Sequence, residues 1–173
     1  MILVHWDDVE GFDIPADLEP LGGRWQRLAD AAGSVRVGVQ RVLLAPGRLM
    51  TPPHLHSAEE EMYHVLIGSA TLWHDGTTST VAAGDTVVYP AGGPAHTLIA
   101  GEDGAEVLVF GTRATPEAGV LTRTGVAWLA QSPVSVGDAH PWQAEAALGL
   151  PEGDAGERPA TRSSIPPAGR RTR

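Results

Sequence analysis

Short β-rich runs alternate with glycine- and proline-rich turns from residue 35 to residue 110. Two of the runs are Met62–Ile67 and Glu106–Phe110, and turns such as Ala83–Asp85 and Pro90–Pro94 separate neighbouring runs. No stretch of this region places apolar side chains at the three- and four-residue spacing of an amphipathic helix. Many short strands joined by closely spaced turns predict an all-β sandwich or barrel.

The chain before this region is predicted to be an irregular arm. Pro15, Pro20 and Gly22–Gly23 interrupt any regular element there, so only one short strand is expected, near Ile2–His5. The first strand of the barrel is expected to start within Val35–Val39, where valine alternates with other residues as on a half-buried strand.

After the barrel strands the pattern weakens. Val120–Leu129 is expected to add one or two strands, and Pro141 is expected to open a short helix that ends at Gly149. The last residues are rich in Pro, Gly, Ser and Arg, with almost no large apolar side chain, which is typical of disorder. The predicted organisation is a 1–34 N-terminal arm, a 35–130 barrel, a 131–150 C-terminal extension with a short helix, and a 151–173 disordered tail.

The composition excludes several kinds of chemistry. The 173 residues are enough for one domain with its own core, and they include no cysteine. Disulfides, thiolate metal sites, iron–sulfur clusters and cysteine nucleophiles are therefore excluded. Every basic residue is an arginine, so a Schiff-base lysine and a lysine base are excluded as well.

Charge and hydropathy restrict the partners. The formal net charge of −9 argues against nucleic acid, because contacts to phosphates need a basic surface. The N-terminus lacks the basic and apolar segments of a signal peptide, and no later stretch is apolar for long enough to span a bilayer. A cytoplasmic protein with no membrane partner is therefore expected.

Three histidines are spaced as metal ligands. His54 and His56 lie two residues apart, so on a strand both side chains point to the same face. His96 follows a proline- and glycine-rich loop and opens a later strand, which delivers a third imidazole. Imidazoles together with a carboxylate suit Fe(II), Mn(II), Ni(II), Cu(II) or Zn(II), and such a set leaves coordination positions open for water or substrate.

The carboxylate is expected from a run of three glutamates. Glu61 opens the next strand and shares one side of it with Tyr63 and Ile67, whereas His64 lies on the other side. Glu59–Glu60 is then left in the connecting loop, in contact with solvent. Glu61 is therefore the predicted ligand.

The segment around these histidines resembles the first motif of the cupin superfamily. That motif is Gly, five residues, His-x-His, three or four residues, Glu, six residues, Gly. His54, His56, Glu61 and Gly68 match it, and the six residues between Glu61 and Gly68 again select Glu61. One spacing departs from the pattern, because six residues rather than five separate Gly47 from His54.

A second segment resembles the second cupin motif, which is Gly, five residues, Pro-x-Gly, two residues, His, three residues, Asn. Gly84, Pro90 and Gly92 match. Three residues rather than two precede His96, and Ala100 stands where Asn is usual. The extra loop residue is expected to change the direction of the His96 side chain slightly.

The resemblance covers residues 35–112. Within the superfamily, the sequence is most similar in pattern to small single-domain bacterial cupins of unassigned role. It implies a cupin barrel, also called a double-stranded β-helix or jelly roll, that holds one divalent ion (Fe, Mn, Ni or Zn). It also implies a small-molecule ligand or substrate and a homodimer, often with N-terminal strands exchanged. The implied metal ligands are His54, His56, Glu61 and His96.

The resemblance leaves the function open between two classes. The first is a metal-dependent enzyme, a dioxygenase-like oxidoreductase or an isomerase, acting on a small organic molecule inside the barrel, with Glu61, Tyr63 and Arg41 as candidate catalytic residues. Arg41 is expected either to clamp a substrate carboxylate or to be a solvated edge residue. The second class is a non-catalytic ligand-binding or sensory cupin in which the metal is structural or orients the ligand. A metal-free sugar epimerase is disfavoured, because it would not need the full ligand set. Four tryptophans are expected in the core or at a dimer interface rather than against a ligand, namely Trp25, Trp73, Trp128 and Trp142.

Overall fold

The computed structural model describes residues 1–129 and 141–156 of the chain. It is built mainly of β-strands, which confirms the predicted all-β class, and the described residues also form two short α-helices and two single-turn 3-10 helices, Trp6–Asp8 and Ala16–Leu18. The strands are β1 Gly11–Asp13, β2 Arg24–Arg27, β3 Gly38–Leu44, β4 His54–His56, β5 Glu61–His74, β6 Thr77–Ala82, β7 Thr86–Tyr89, β8 His96–Gly111, β9 Ala118–Leu121, β10 Val126–Leu129 and β11 Asp154–Ala155. The helices are α1 Leu28–Ala31 and α2 Pro141–Ala146.

Two long antiparallel strands, β5 and β8, organise the sheet. Strand β5 pairs with β6, β7 and β8, and β8 also pairs with β3 and β4. The remaining path runs β1-β2-β3-β8-β4-β9-β10. Within the described residues this sheet does not close into a ring of hydrogen-bonded strands, so the predicted barrel is an open one.

The core lies between the inner faces of these strands. Val42 and Leu44 on β3 face Tyr63 and Val65 on β5, and all four side chains are buried. Alternate residues of each strand point inward, as the period of a strand requires. The core cluster comprises Trp25, Val42, Leu44, Met50, Tyr63, Val65, Ala70, Leu72, Val81, Tyr89, Leu98, Ala100, Ala105, Val107 and Val109.

The helix α2 is held against the barrel by a buried ion pair. Arg123 Nε donates to Glu145 Oε2 at 2.8 Å, and the other Glu145 oxygen accepts from Thr124 N–H at 2.9 Å. The Glu145 carboxylate has no solvent exposure, so it needs these donors to offset the loss of its hydration. Trp142, on the same helix, packs against a small apolar cluster that includes Leu18 and Leu49. The ion pair therefore fixes Trp142 beside the open end of the barrel.

The N-terminal arm is more regular than expected. The predicted strand near Ile2–His5 is wrong, because those residues form no strand. Instead β1 pairs with β2, and β2 pairs with β3, so the arm extends the sheet of the barrel. The first barrel strand also begins later than expected, at Gly38, and Val35 is 82% exposed. Alternating valines indicated the strand type but not its start.

The C-terminal predictions have mixed outcomes. The strands expected within Val120–Leu129 are confirmed as β9 and β10. The helix expected from Pro141 is confirmed as α2, but it ends at Ala146 and not at Gly149. Residues 130–140 and 157–173 lie outside the described part of the chain, so most of the predicted tail does too. At its start, however, Asp154–Ala155 pairs in parallel with β6, and Glu152 O accepts from Trp73 Nε1 at 2.7 Å. Residues 151–156 are therefore part of the fold.

An irregularity in β5 changes which residues face inward. The register between β5 and β8 shifts between Val65 and Ile67 and again between Gly68 and Ala70. Ile67 is 61% exposed, so the expectation that it shares the inner side with Glu61 is wrong. A bulge adds a residue to one strand and thereby reverses the alternation beyond it.

The glycine that closes the first motif is required by this irregularity. Gly68 has φ +78°, and a Cβ added there would lie 2.2 Å from the carbonyl oxygen of Gly104. Gly84 also has a positive φ, +92°, but a Cβ there would meet nothing within 4 Å. Gly84 is therefore a control for the cost of the backbone conformation alone.

We expect Gly68→Ala to lower the free energy of unfolding by about 3 kcal/mol and Gly84→Ala by only about 1 kcal/mol. The difference arises because the first substitution adds a collision with backbone to the conformational cost. Urea unfolding of both variants measures it. Equal losses would show that the Gly104 carbonyl can move away freely.

Among residues 1–129 and 141–156, no helix combines the length and the apolar character needed to cross a membrane.

Candidate metal centre

The structure brings the four predicted ligand side chains together at one point inside the barrel. Suitable ligand atoms of His54, His56, Glu61 and His96 all lie within 4.8 Å of one another. Glu61 Oε2 is at the centre, 2.9 Å from His96 Nε2 and 3.7 Å from the Nε2 atoms of both His54 and His56. The four side chains are therefore close enough together to hold one metal ion.

Strand pairing explains how residues so distant in sequence meet. His54 on β4 is directly opposite His96 on β8, and side chains opposite each other on neighbouring strands are close. Their ring centroids are 4.8 Å apart, and those of His54 and His56 are 4.9 Å apart. Glu61 enters from the first position of β5, opposite Tyr89 of β7.

Acceptors on the far side of each imidazole ring fix its orientation. His54 Nδ1 lies 2.8 Å from the Pro52 carbonyl oxygen, and His96 Nδ1 lies 3.0 Å from that of Pro94. A carbonyl oxygen only accepts, so the proton of each neutral ring is on Nδ1 and the Nε2 lone pair points toward Glu61. This is the arrangement of metal-binding histidines, whose second nitrogen donates to an outer acceptor.

The charges of the cluster favour a bound cation. Burial raises the pKa of Glu61, but its interactions with the three surrounding histidines outweigh burial and hold this pKa well below its usual value. Burial lowers the pKa of His96. Burial also lowers the pKa of His56, but Glu61 and Glu117 more than compensate and raise it to about 9. An anionic carboxylate thus lies among three imidazole nitrogens, and its charge would attract a cation bound between them.

The donor set fits a transition-metal ion. Three imidazoles and one carboxylate suit Fe, Mn, Ni, Cu or Zn rather than Ca or Mg, which prefer oxygen ligands. His56 Nε2 is buried and has no hydrogen-bond partner among the described residues, which is costly for a polar atom without a ligand. The residues present therefore fit a divalent metal.

Two tyrosines support the cluster from below. Tyr63 OH donates to Glu61 Oε2 at 2.8 Å, and the Tyr89 ring stacks on His96 with centroids 3.7 Å apart and planes 5° apart. Burial, and then the charge of Glu61, raise the pKa of Tyr63 well above its usual value. Tyr63 is therefore a protonated donor that positions the carboxylate, not a base.

Glu117 is a residue of this site that the sequence did not indicate. It follows β8 in a loop, and its carboxylate has no solvent exposure. One oxygen accepts from His56 Nδ1 and from Ser57 N–H, each at 3.1 Å. The other accepts from the backbone N–H groups of Ala58 and Glu59 at 2.7 and 2.8 Å. Glu117 thus fixes the His56 ring and the loop between β4 and β5.

The remaining glutamates and His64 have outer positions. Glu60 is exposed, and Glu59 is half-buried beside Gly111. His64 Nδ1 lies 2.8 Å from Thr86 Oγ1, on the outer side of β5.

A cavity of about 530 Å³ opens over the candidate metal site and is lined by His54, His56 and Glu61 of the cluster. Its volume is in the range of small-molecule sites in proteins. Trp25 and Trp142 line this cavity, whereas the sequence predicted them in the core or at a dimer interface. Trp25 is also a core residue, so for Trp25 the predicted core position is correct as well. The full lining is Phe12, Asp13, Ile14, Pro15, Asp17, Leu18, Trp25, Arg27, Gln40, Thr51, His54, His56, Glu61, Trp142 and Gln143.

Arg41 lies outside this cavity. Its Nε donates to Glu106 Oε1 at 2.7 Å, Nη1 donates to Gln26 Oε1 at 3.2 Å, and the guanidinium lies 4.3 Å from the Trp6 ring centroid. Its neighbour Gln40 lines the cavity instead, because adjacent residues of β3 point to opposite faces. Arg41 therefore fastens the N-terminal arm to the outside of the sheet.

We expect Arg41→Met to lower the free energy of unfolding by about 2 kcal/mol, because it leaves the largely buried Glu106 without its partner. Metal affinity is expected to stay unchanged. Arg24→Met, which breaks an exposed pair with Asp13, is the matched control and should cost less than about 1 kcal/mol. Thermal unfolding and metal titration measure both effects, and a loss of metal affinity in Arg41→Met would contradict this placement.

Known proteins with a similar sequence or structure have the same type of fold. The Cupin domain family model matches residues 40–111. A sugar phosphate isomerase of the cupin superfamily from Silicibacter pomeroyi DSS-3 has a TM-score of 0.61 and 25% identity, over 78% of this chain and 97% of that one. A proposed sugar phosphate isomerase from Acidithiobacillus ferrooxidans has a TM-score of 0.65 and 25% identity, over 79% and 94%.

A third solved structure is similar over a comparable length. The polyketide cyclase RemF from Streptomyces resistomycificus has a TM-score of 0.56 and 25% identity, over 83% of this chain and 91% of that one. No curated protein matches the chain in sequence. The motifs, the strand arrangement and these similarities agree, and residues 40–111 of the chain form a cupin domain.

Proposed function

We propose that this protein is a metal-dependent enzyme that acts on a small organic molecule bound over the His54, His56, Glu61 and His96 cluster. One observation carries the proposal: the cluster forms part of the wall of a cavity large enough for a substrate. A purely structural ion would need no such access, because structural sites are closed by protein ligands.

The chain's own groups prepare the site for catalysis. Tyr63 holds the Glu61 carboxylate, Tyr89 holds the His96 ring, and Glu117 holds the His56 ring. Rigid ligands of this kind need no reorganisation during a reaction. A bound divalent ion would supply Lewis acidity toward a substrate oxygen and, if it were iron, reactivity with O₂. Dioxygenase-like oxidation and isomerisation are the two reaction classes that we propose.

The similar proteins support an enzyme but differ in chemistry. Two are named as sugar phosphate isomerases and one as a polyketide cyclase. They share about the same level of identity with this chain, so similarity alone does not choose a reaction. The walls of the cavity are the better guide to the substrate.

Elemental analysis of the purified protein by plasma mass spectrometry is the first test. We expect close to one equivalent of iron, manganese, nickel or zinc per chain, and loss of this metal in His96→Ala. Oxygen-consumption and isomerisation assays with keto and aromatic compounds then test for turnover. Absence of metal after reconstitution would contradict the proposal.

A non-catalytic ligand-binding cupin is the second candidate. It is favoured by the small number of acid–base groups in the cavity wall: apart from the proposed metal ligands and the exposed Asp13, Asp17 and Arg27, the polar lining residues are the neutral Gln40, Thr51 and Gln143. Metal and ligand binding without turnover would support it.

We also propose a cytoplasmic homodimer. Ile2, Leu3 and Val35 expose 68%, 90% and 82% of their side chains in the single chain, and association through the arm would cover such residues. Light scattering coupled to size exclusion measures the oligomeric state, and a monomer at all concentrations would contradict this proposal.

A further inference from the structure

We propose that the cavity selects an uncharged, mainly apolar ligand with an aromatic ring, and that it disfavours phosphorylated sugars and dicarboxylates. This inference rests on the proposed function, in that the ligand is taken to bind over the metal cluster. It adds the chemical class of that ligand, which follows from the side chains above the cluster.

Large apolar side chains form most of the wall between the cluster and the opening. Leu18 and Trp25 are buried, and Ile14 and Trp142 are half-buried. The Phe12 ring is 42% exposed and lies at the opening. Such a wall offers few hydrogen bonds to replace those that hydroxyl or phosphate groups make with water. Binding of a polar ligand is therefore penalised by the loss of its hydration. Aromatic walls instead stabilise a flat apolar ring.

The charges at the opening do not form a binding site for anions. Asp13 and Asp17 are exposed and line the cavity, and Asp13 also pairs with the exposed Arg24. Among the described residues the lining contains one arginine, Arg27, whose guanidinium lies 5.1 Å from the Phe12 ring centroid. Recognition of a phosphate or of two carboxylates usually takes several convergent cations. With two acids beside a single arginine in its lining, the opening offers no such cluster.

The polar groups within the wall are neutral. The Gln40 amide lines the cavity and forms no hydrogen bond with the described residues, and Thr51 lies beside His54. An amide can donate to, or accept from, a carbonyl or hydroxyl group of a neutral ligand. The wall thus matches a ring that carries one or two oxygen substituents.

A series of ligands with one shared metal-binding group tests this inference on the full-length, zinc-loaded protein. Acetohydroxamic, benzohydroxamic and 4-carboxybenzohydroxamic acid differ only in the part that meets the wall. By calorimetry we expect benzohydroxamic acid to bind at least about tenfold more tightly than acetohydroxamic acid, because its ring is buried. We expect the added carboxylate to weaken binding by about tenfold.

Variants of the wall assign these differences to named residues. Trp142→Ala should reduce the preference for the phenyl ring, and Asp17→Asn should reduce the penalty for the carboxylate. Leu148→Ala is the control, since Leu148 is 53% exposed and does not line the cavity. Equal affinity for the first two ligands, or tighter binding of the carboxylated one, would overturn the proposed ligand class.

A second pair of ligands separates this inference from the metal proposal. In metal-free protein, 2-naphthol should bind more tightly than 2-naphthoate, which has the same rings and a negative charge. This result would support the ligand class even if no metal bound. A preference for 2-naphthoate would overturn the ligand class even if the metal centre were occupied and active.

Discussion

Glu61→Gln is expected to weaken metal binding by about a hundredfold or more and to abolish any metal-dependent turnover. Glu61 provides the anionic ligand, and its Oε2 lies within 3.7 Å of the Nε2 atoms of His54, His56 and His96. Glutamine keeps the shape of the side chain and can still accept the hydrogen bond from Tyr63, but it removes the charge that balances the cation. Competition titration with a chromophoric chelator measures the affinity.

The neighbouring glutamate is the matched control for this substitution. Glu60 is exposed, and its backbone N–H, not its carboxylate, donates to Thr112 Oγ1. Glu60→Gln makes the same chemical change one residue away, and we expect it to leave metal affinity unchanged. If Glu60→Gln weakened binding as much as Glu61→Gln, the assignment of the carboxylate ligand would be wrong.

Glu117→Gln is expected to lower metal affinity by about 10- to 100-fold although Glu117 is not a ligand. Its carboxylate accepts from His56 Nδ1 and from three successive backbone N–H groups, of Ser57, Ala58 and Glu59. Glutamine replaces one acceptor oxygen by an NH₂ group, so donors would face donors at a buried position. The same change should lower the free energy of unfolding by about 2 kcal/mol or more.

A stability-matched variant separates the two effects of Glu117→Gln. Arg41→Met is expected to destabilise the fold by a similar amount from the outer face of the sheet, with no effect on metal affinity. Loss of metal affinity in Glu117→Gln alone therefore identifies Glu117 as a positioning residue for His56. Unchanged metal affinity in both variants would leave Glu117 with a structural role only.

Local sequence pattern was sufficient for the central strands of the barrel and for the grouping of the ligand side chains. His54 and His56 share a face because residues two apart on a strand do so, and Glu61 is selected from three glutamates because it opens β5. The motif spacing then supplied His96. The same alternation misplaced Ile67, because the register shifts in β5 that reverse it depend on pairing with β8.

The surroundings of the cluster could not be derived in this way. Glu117 reaches His56 across 61 positions of sequence, and no nearby residue marks it as different from other acidic residues. Arg41 was equally compatible with a substrate clamp or a solvated edge until the arm, with Trp6 and Gln26, was seen to cover it. Trp142 lines the cavity because the Arg123–Glu145 pair and the packing of Trp142 on Leu18 and Leu49 hold α2 beside the barrel.

The sequence by itself determined the all-β class, the cupin motifs and the predicted ligands His54, His56, Glu61 and His96. These features depend on the two-residue period of a strand and on short fixed spacings, which are properties of neighbouring residues. Only the tertiary structure decided what orients the ligands and what lines the cavity above them. Those contacts join residues far apart in the chain, and their partners are chosen by strand pairing and by the packing of the arm and α2, which no local pattern encodes.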